Sequence, residues 1–548
     1  MDFEEILTHI GKFGPFQWRV YLVLCCISLV TPFHLFSQVF FAKPVDHWCY
    51  DSSIDAINCS VLNVTDGIEC IEAKRNLYIP RTADGDGFEK CQKYQLDGYL
   101  LDYDGADANT SVIAITGCDD GWVYDPRVPY GYSIISDFEL VCHRRSLPQI
   151  AMSIFFFTIM IGVVFNGWIS DRIGRLYTIL IMSVVVCVSG SAVCIVKSFW
   201  AYVILRSICG PCVVGLFSVP FVLGAELVSS ESRILTGFVI EYFFAIGYVL
   251  TAVLAEFIQN WRLLQLTLTL PALLIIASIP LIVESPRWLL SRGHNQRAIT
   301  VIKQIAKGNR KKMPDISQEP TFSQTKVVDE KITMRELFRH RTMVTRTLIL
   351  MVAWLTNNIV YMVISFSAGA FGVNVIVGSL LLAAVEIPAN TIAMVTVKYL
   401  GRRYPQCCMF FTAGAASILS RFIPIGGWQI AVVVVSKLAI SASFNTIFVY
   451  TAELYPTSVR GFSLSICSMM ARVGGTIFPF ILLLADYWQH FPLVISGILA
   501  VISGIGILLL PETKMAALPA TIEDALYIGR KRIPVPTSPG DEEKTNEL

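Results

Sequence analysis

Gly167-Trp-Ile-Ser-Asp171-Arg172-Ile-Gly174-Arg175 joins two long apolar runs, and its last pair returns as Gly401-Arg402, 227 positions later. At the same offset, Ala225-Glu226-Leu227 followed by Arg233 returns as Ala452-Glu453-Leu454 followed by Arg460. Val283-Glu284-Ser285 is echoed by Pro511-Glu512-Thr513, 228 positions apart from Glu284 to Glu512. Several motifs at one offset imply a duplicated unit, and the residues between the motifs say what that unit is.

They are apolar. Of 548 residues 54% are hydrophobic and 16% charged, and mean hydropathy is +0.59. That composition excludes a soluble enzyme, a disordered scaffold and a nucleic-acid binder. A net charge of +1 leaves no overall field to recruit polyanions. A membrane-spanning helix needs roughly 20 apolar residues. Twelve runs qualify: Val20–Phe41, Gln149–Ile169, Tyr177–Val196, Ala201–Leu223, Thr236–Phe257, Leu263–Val283, Leu348–Gly369, Val375–Val395, Cys407–Ile425, Gln429–Tyr450, Phe462–Leu484 and Phe491–Leu510. The expected fold is therefore an all-α membrane protein of twelve spans in two six-helix halves. Met1–Gly14 is polar and the first run is too long for a signal peptide, so it reads as a signal anchor.

The division follows. Residues 1–19 form an N-terminal segment, 20–283 the first half, 284–347 a linker, 348–510 the second half and 511–548 a tail, polar and expected to be flexible over Lys514–Leu548. Lys43–Leu147 carries 18 Asp/Glu against 9 Lys/Arg, whereas Glu284–Thr347 carries 14 Lys/Arg against 6 Asp/Glu. Retained basic charge marks the cytoplasmic side. Arg172 and Arg175 fall on that same side, and an even number of spans places both termini there. Cys49, Cys59, Cys70, Cys91, Cys118 and Cys142 share the acidic loop. They suggest up to three disulfides, in any of 15 pairings. Sequons at Asn58, Asn63 and Asn109 lie in the same loop, as an outward-facing glycosylated surface requires.

The short motifs sit at the basic ends of the spans. Gly167 would let helices approach and Gly174 would turn the chain. Asp171 and Arg175 can make charge-assisted bonds between helix ends, a latch for the cytoplasmic gate; the bland reading is a positive-inside anchor. Glu226 with Arg233, and Glu453 with Arg460, are seven residues apart and can pair with each other or with Arg175 and Arg402. These read as gate structure, not substrate contacts.

Asp171-Arg-Ile-Gly-Arg175, Glu284-Ser-Pro-Arg287-Trp-Leu289 and Pro511-Glu512-Thr-Lys514 resemble the major facilitator superfamily. Tyr450-Thr-Ala-Glu-Leu-Tyr-Pro456, Val385-Glu386-Ile-Pro388, Cys118-x-x-Gly121-Trp122 and Phe138-x-Leu-Val-Cys142 narrow this to a resemblance to the organic cation/anion/carnitine transporter family. The resemblance runs from about Phe3 to Asp524. It implies alternating access around a central site, with each half a rigid unit. Trp354-Leu-Thr-Asn-Asn358-Ile-Val-Tyr361 looks like the cation branch, whereas Lys437 with Ala442-Ser-Phe444-Asn445 and Phe448 looks more like the anion branch. Mammalian cation carriers of the family have aspartate at the position of Arg472; anion and carnitine carriers have arginine.

Ionisable groups at bilayer depth are costly and so are functional candidates. Arg472, Glu386, Lys437 and Glu241 are the four. Each has a structural alternative: Arg472 as an ion-pair partner of Glu386, Glu386 as support for a helix bent at Pro388, Lys437 snorkelling outward, and Glu241 in a gate pair. Trp354, Asn358 and Tyr361 share one helical face, and with Phe444, Asn445 and Phe448 they complete an expected pocket. Aromatic faces serve organic cations and planar anions alike. There is no Walker loop, no HExxH pair and no metal-ligand spacing; no enzyme, cofactor or metal is expected. The expected function is a plasma-membrane carrier of small organic ions, working as a monomer, that favours zwitterions or organic anions, with a polyspecific pocket left open. An organic cation carrier is the alternative, and a non-transporting receptor on the same fold is the alternative of another class. Na⁺ or H⁺ coupling, or exchange against a second organic ion, is left open.

Overall fold

The computed structural model describes residues 3–56, 59, 64, 67–82, 87–95, 114–129, 131–312, 339–456, 459–514, 519 and 521–528. The three sequon asparagines lie outside them. Eleven helices among the described residues are long and apolar enough to cross a membrane. They are α1 (Pro15–Phe41), α2 (Leu147–Ile173), α3 (Arg175–Val193), α4 (Phe199–Glu226), α5 (Arg233–Phe257), α6 (Trp261–Leu281), α7 (Arg341–Phe366), α8 (Val375–Tyr399), α10 (Gly427–Leu454), α11 (Arg460–Leu483) and α12 (Phe491–Leu508). The twelfth expected run is also helical, as α9 (Arg403–Leu419), but only over 17 residues. At 1.5 Å per residue that is about 26 Å, slightly short of a ~30 Å hydrocarbon core.

Proline marks the breaks. Helix α8 divides into Val375–Ala384 and Glu386–Tyr399, just before Pro388, whose ring clashes with the preceding turn. Helix α6 divides ahead of Pro271. Within the halves α4 packs on α2 and α3, and α9 on α10 and α12. Between the halves α2 lies against α11, and α5 against α8.

The described part of the loop between α1 and α2 is a small domain. Strand β1 (His47–Cys49) pairs with β4 (Trp122–Tyr124), and β2 (Gln92–Gln95) with β3 (Ala114–Gly117), both antiparallel. Disulfides join Cys49–Cys118, Cys59–Cys70 and Cys91–Cys142, selecting one of the 15 pairings. Lys93 bridges Asp51 at 2.9 Å and Asp120 at 2.8 Å. Its burial would lower the ammonium pKa, but the two carboxylates outweigh that and raise it.

At the opposite end the polar segments are more ordered than their composition suggests. Phe3–Ile10 is a helix that buries Ile6, Leu7 and Ile10. The linker begins with helices Pro286–Ser291 and Asn295–Gly308. The expectation of a flexible tail fails for Ile522–Tyr527, a helix capped by Thr521 with Ala525 fully buried. Arg346 holds it through the Ala525 carbonyl, at 2.5 Å.

Candidate functional site

The two copies of the motif build the same network twice. Gly174 and Gly401 both have φ +101°, which only glycine adopts cheaply. Each turn aims an arginine at the acid of the neighbouring helix: Arg175 to Glu226 at 2.9 Å, Arg402 to Glu453 at 2.7 Å. Glu284 then accepts from the backbone N–H of Arg175 and Leu176, at 3.0 and 3.1 Å. Glu512 accepts from Arg402 and Arg403 at the same distances. Burial alone would raise the Glu512 carboxyl. The backbone N–H groups of Arg402, Lys514, Arg403 and Thr513 outweigh it and hold the pKa below the ordinary carboxylate value.

Of the pairings the sequence left open, Glu226 and Glu453 form those with Arg175 and Arg402. One expectation changes. Gly167 makes no close helix contact; a Cβ there would meet open space. Asp171, at the end of α2, pairs with Arg175 at the start of α3 at 3.0 Å, and its side chain is mostly exposed. Arg287 lies in the first turn of the helix Pro286–Ser291. Each copy of this network lies within one half.

Tyr242 and Thr391 join α5 to α8 across the halves at 2.7 Å; two further crossing contacts lie at the cysteine-loop end. Ser153 Oγ donates to the Thr476 carbonyl at 2.7 Å, and Arg145 pairs with Asp486 at 3.4 Å. Below them Phe156 meets Phe478 edge-on at 5.2 Å, and Phe36 and Phe366 pack alongside. This end is shut by hydrogen bonds and phenyl rings.

Toward the basic-loop end the halves part around a cavity of about 360 Å³. Helices α2, α4, α5, α10 and α11 line it. Glu241 and Arg472 face it from opposite halves, with Asn445 and Phe448 beside them. Thus four of the ten expected pocket residues meet in one chamber. Asn445 is oriented by a 2.7 Å hydrogen bond from its Nδ2 to Asn390. Arg233, expected in the gate, lines the cavity as well, and Phe217, Phe221, Phe238 and Ser468 complete a wall that sequence reasoning missed. Phe217 and Phe221 are four residues apart on α4, one helical face, which was the available signal.

The other six lie outside the chamber. Lys437 is fully buried and sits 3.0 Å from Glu386. It also donates to Ser365 at 2.7 Å and lies 3.2 Å from the Tyr361 ring centroid. Tyr361 donates its hydroxyl to Glu386. Snorkelling is excluded, because no solvent or lipid reaches Lys437, and the partner of Glu386 is Lys437 rather than Arg472. Tyr248 and Phe36, stacked at 3.7 Å, bring the first half against this cluster. Lys437 is eight residues before Asn445 on α10, about 12 Å nearer the closed end. Trp354 donates to Thr451 at 3.0 Å and packs on Phe444 and Phe448. Asn358 is buried, its Oδ1 unpartnered. Arg472 lines the cavity, with its buried Nε likewise unpartnered.

The fold matches the Escherichia coli xylose transporter XylE in a partially occluded inward-open conformation, with TM-score 0.58 and 16% identity over 92% of this chain and 100% of that one. Residues 109–522 match the family described as sugar (and other) transporter. The chain is 32% identical to the Drosophila melanogaster organic cation transporter protein, spanning 100% of this chain and 98% of the relative. It is also 32% identical to solute carrier family 22 member 3 of Mus musculus, over 97% of each chain, and to member 1 of Oryctolagus cuniculus, over 100% and 99%. Duplicated motifs, a twelve-helix fold with a chamber between its halves, and full-length kinship agree: the chain is a membrane transporter of the major facilitator superfamily, and it belongs to solute carrier family 22 within the sugar (and other) transporter family.

Proposed function

We propose that this transporter carries small organic ions across the plasma membrane by alternating access, and that zwitterions bearing a carboxylate are its preferred substrates. The observation that carries the substrate reading is the pairing of Glu241 and Arg472 across one chamber. An acid and a base on opposite walls complement a molecule with both charges, whereas either charge alone leaves one wall unmatched. A second reading, an organic cation, is favoured by the four phenylalanines of the wall, whose faces attract ammonium groups, and by the names of the relatives.

The basic linker and the Arg172/Arg175 loop support placing the chamber's open end, and both termini, at the cytoplasm. The chain then stands inward-facing. In the outward-facing state the Ser153–Thr476 contact parts and the other ends of α2 and α11 close, which suits Asp171 and Arg460 for the latch. No cofactor enters this cycle; H⁺, Na⁺ or a counter-transported organic ion would supply any coupling, with Glu241 and Glu386 the acids to test. A single chain contains the whole chamber, which supports a monomeric carrier.

Purified protein in proteoliposomes tests the reading. We expect time-dependent accumulation of a labelled betaine-like zwitterion, inhibited by unlabelled zwitterion. Saturable binding without accumulation would instead identify a receptor, and accumulation of a labelled organic cation alone would favour the second reading.

A further inference from the structure

We propose that the arginine-lined cavity at the basic-loop end of the second half binds the phosphate of an anionic membrane lipid. The cavity, of about 500 Å³, lies where α7 and α9 begin and α12 ends; Arg341, Arg346 and Arg403 line it beside Ile349, Leu509 and Ile528. No Asp or Glu lines it.

The three arginines differ in what they already hold. Arg346 is committed to the tail helix, through the carbonyls of Ala525 and Leu526. Arg341 and Arg403 take part in no ion pair among the described residues. Arg403 donates to the Leu508 carbonyl, and its Nε has no partner. Glu512 accepts from the backbone N–H of Arg403 but neither lines the cavity nor forms a salt bridge with either guanidinium among the described residues. Two guanidinium groups therefore face a cavity without an anion. Guanidinium matches phosphate geometry, and basic pockets between membrane helices hold anionic headgroups.

The apolar rim separates a lipid from a soluble phosphate. Leu509 is 74% exposed and Tyr404, beside Arg403, 59%. They stand at the basic-loop ends of α12 and α9, where acyl chains meet headgroups. A soluble organophosphate would leave that rim uncovered.

Melting of the purified full chain in detergent tests this, with dioctanoyl phosphatidylinositol bisphosphate, dioctanoyl phosphatidylcholine and soluble inositol trisphosphate as probes. We expect the anionic lipid to raise the melting temperature, the choline lipid to leave it unchanged, and the soluble headgroup to act more weakly than the lipid. Arg341→Gln should weaken the lipid effect roughly fivefold, and the double variant with Arg403→Gln roughly thirtyfold, at about 1 kcal/mol per basic contact. Arg341 is exposed at a helix start, so its single variant reports even if the double variant fails to fold. Equal stabilisation by the choline lipid, equal stabilisation by the soluble headgroup, or an unaltered response of Arg341→Gln would overturn the proposal.

Discussion

Glu386 and Lys437 are opposite charges that water does not reach, and beside each other they have the neutral hydroxyls of Tyr361 and Ser365. Removing one partner of a buried pair typically costs about 3–5 kcal/mol, whereas replacing both with groups of similar volume is often close to neutral. Lys437→Met alone should therefore melt far below the wild type, and Glu386→Gln with Lys437→Met should recover much of the loss. A double variant as unstable as the sum of the singles would mean that the pair is not isolated in this way. The distinction matters for function. This pair reads as the neutral floor beneath the chamber, joined to the first half through Tyr248 and Phe36. Glu241 and Arg472, by contrast, reach the cavity itself.

At the scale of the element, the glycine turns carry the duplicated network. Gly401 has φ +101°, and a Cβ there would stand 3.1 Å from the Glu512 carboxylate. Gly401→Ala should destabilise by about 1–2 kcal/mol, while Gly167→Ala should stay within about 0.5 kcal/mol; thermal melting of the two variants separates them. The Glu512 carboxyl has a folded pKa below its unfolded value of 4.5. Its contribution to stability is thus fully present above pH 4.5 and is lost as pH falls through the lower, folded pKa. Wild type should lose melting temperature on acidification through that window, and Glu512→Gln should lose less. An identical acid slope in the two proteins would show that the backbone cage does not tune this carboxylate.

These turns were also the most legible part of the sequence. The offset between Arg175 and Arg402 is a chemical repeat, and the structure repeats the bond it makes. Which acid each arginine would take was not legible, because Glu226 could reach Arg233, seven residues on, as readily as Arg175. The break in α8 followed from Pro388. The helix Ile522–Tyr527 did not follow from composition, because its order comes from Arg346 and a buried Ala525 rather than from an apolar stripe.

Across the whole molecule, the apolar runs located all twelve helices, since a hydrocarbon core admits little else. They could not say how far the halves had rocked, and that decides which charged residues share a chamber. Glu241 and Arg472 share one because the halves are parted at their end of the bundle, while Glu386 and Lys437 lie at the end that Ser153, Thr476 and the phenylalanines hold shut. Residues such as Phe217 and Ser468 escaped notice for the same reason: their positions are ordinary until the opposite wall is in place. The central claim is that Arg472 reads the negative charge of the substrate in that chamber. It is tested most directly by uptake of a labelled zwitterion, a labelled carboxylate and a labelled organic cation into cells expressing wild type or Arg472→Asp. The account predicts that zwitterion and carboxylate uptake by the wild type falls at least tenfold in the variant, the loss of about 1.4 kcal/mol or more, with surface expression unchanged. Uptake of the cation alone, retained in the variant, would contradict it.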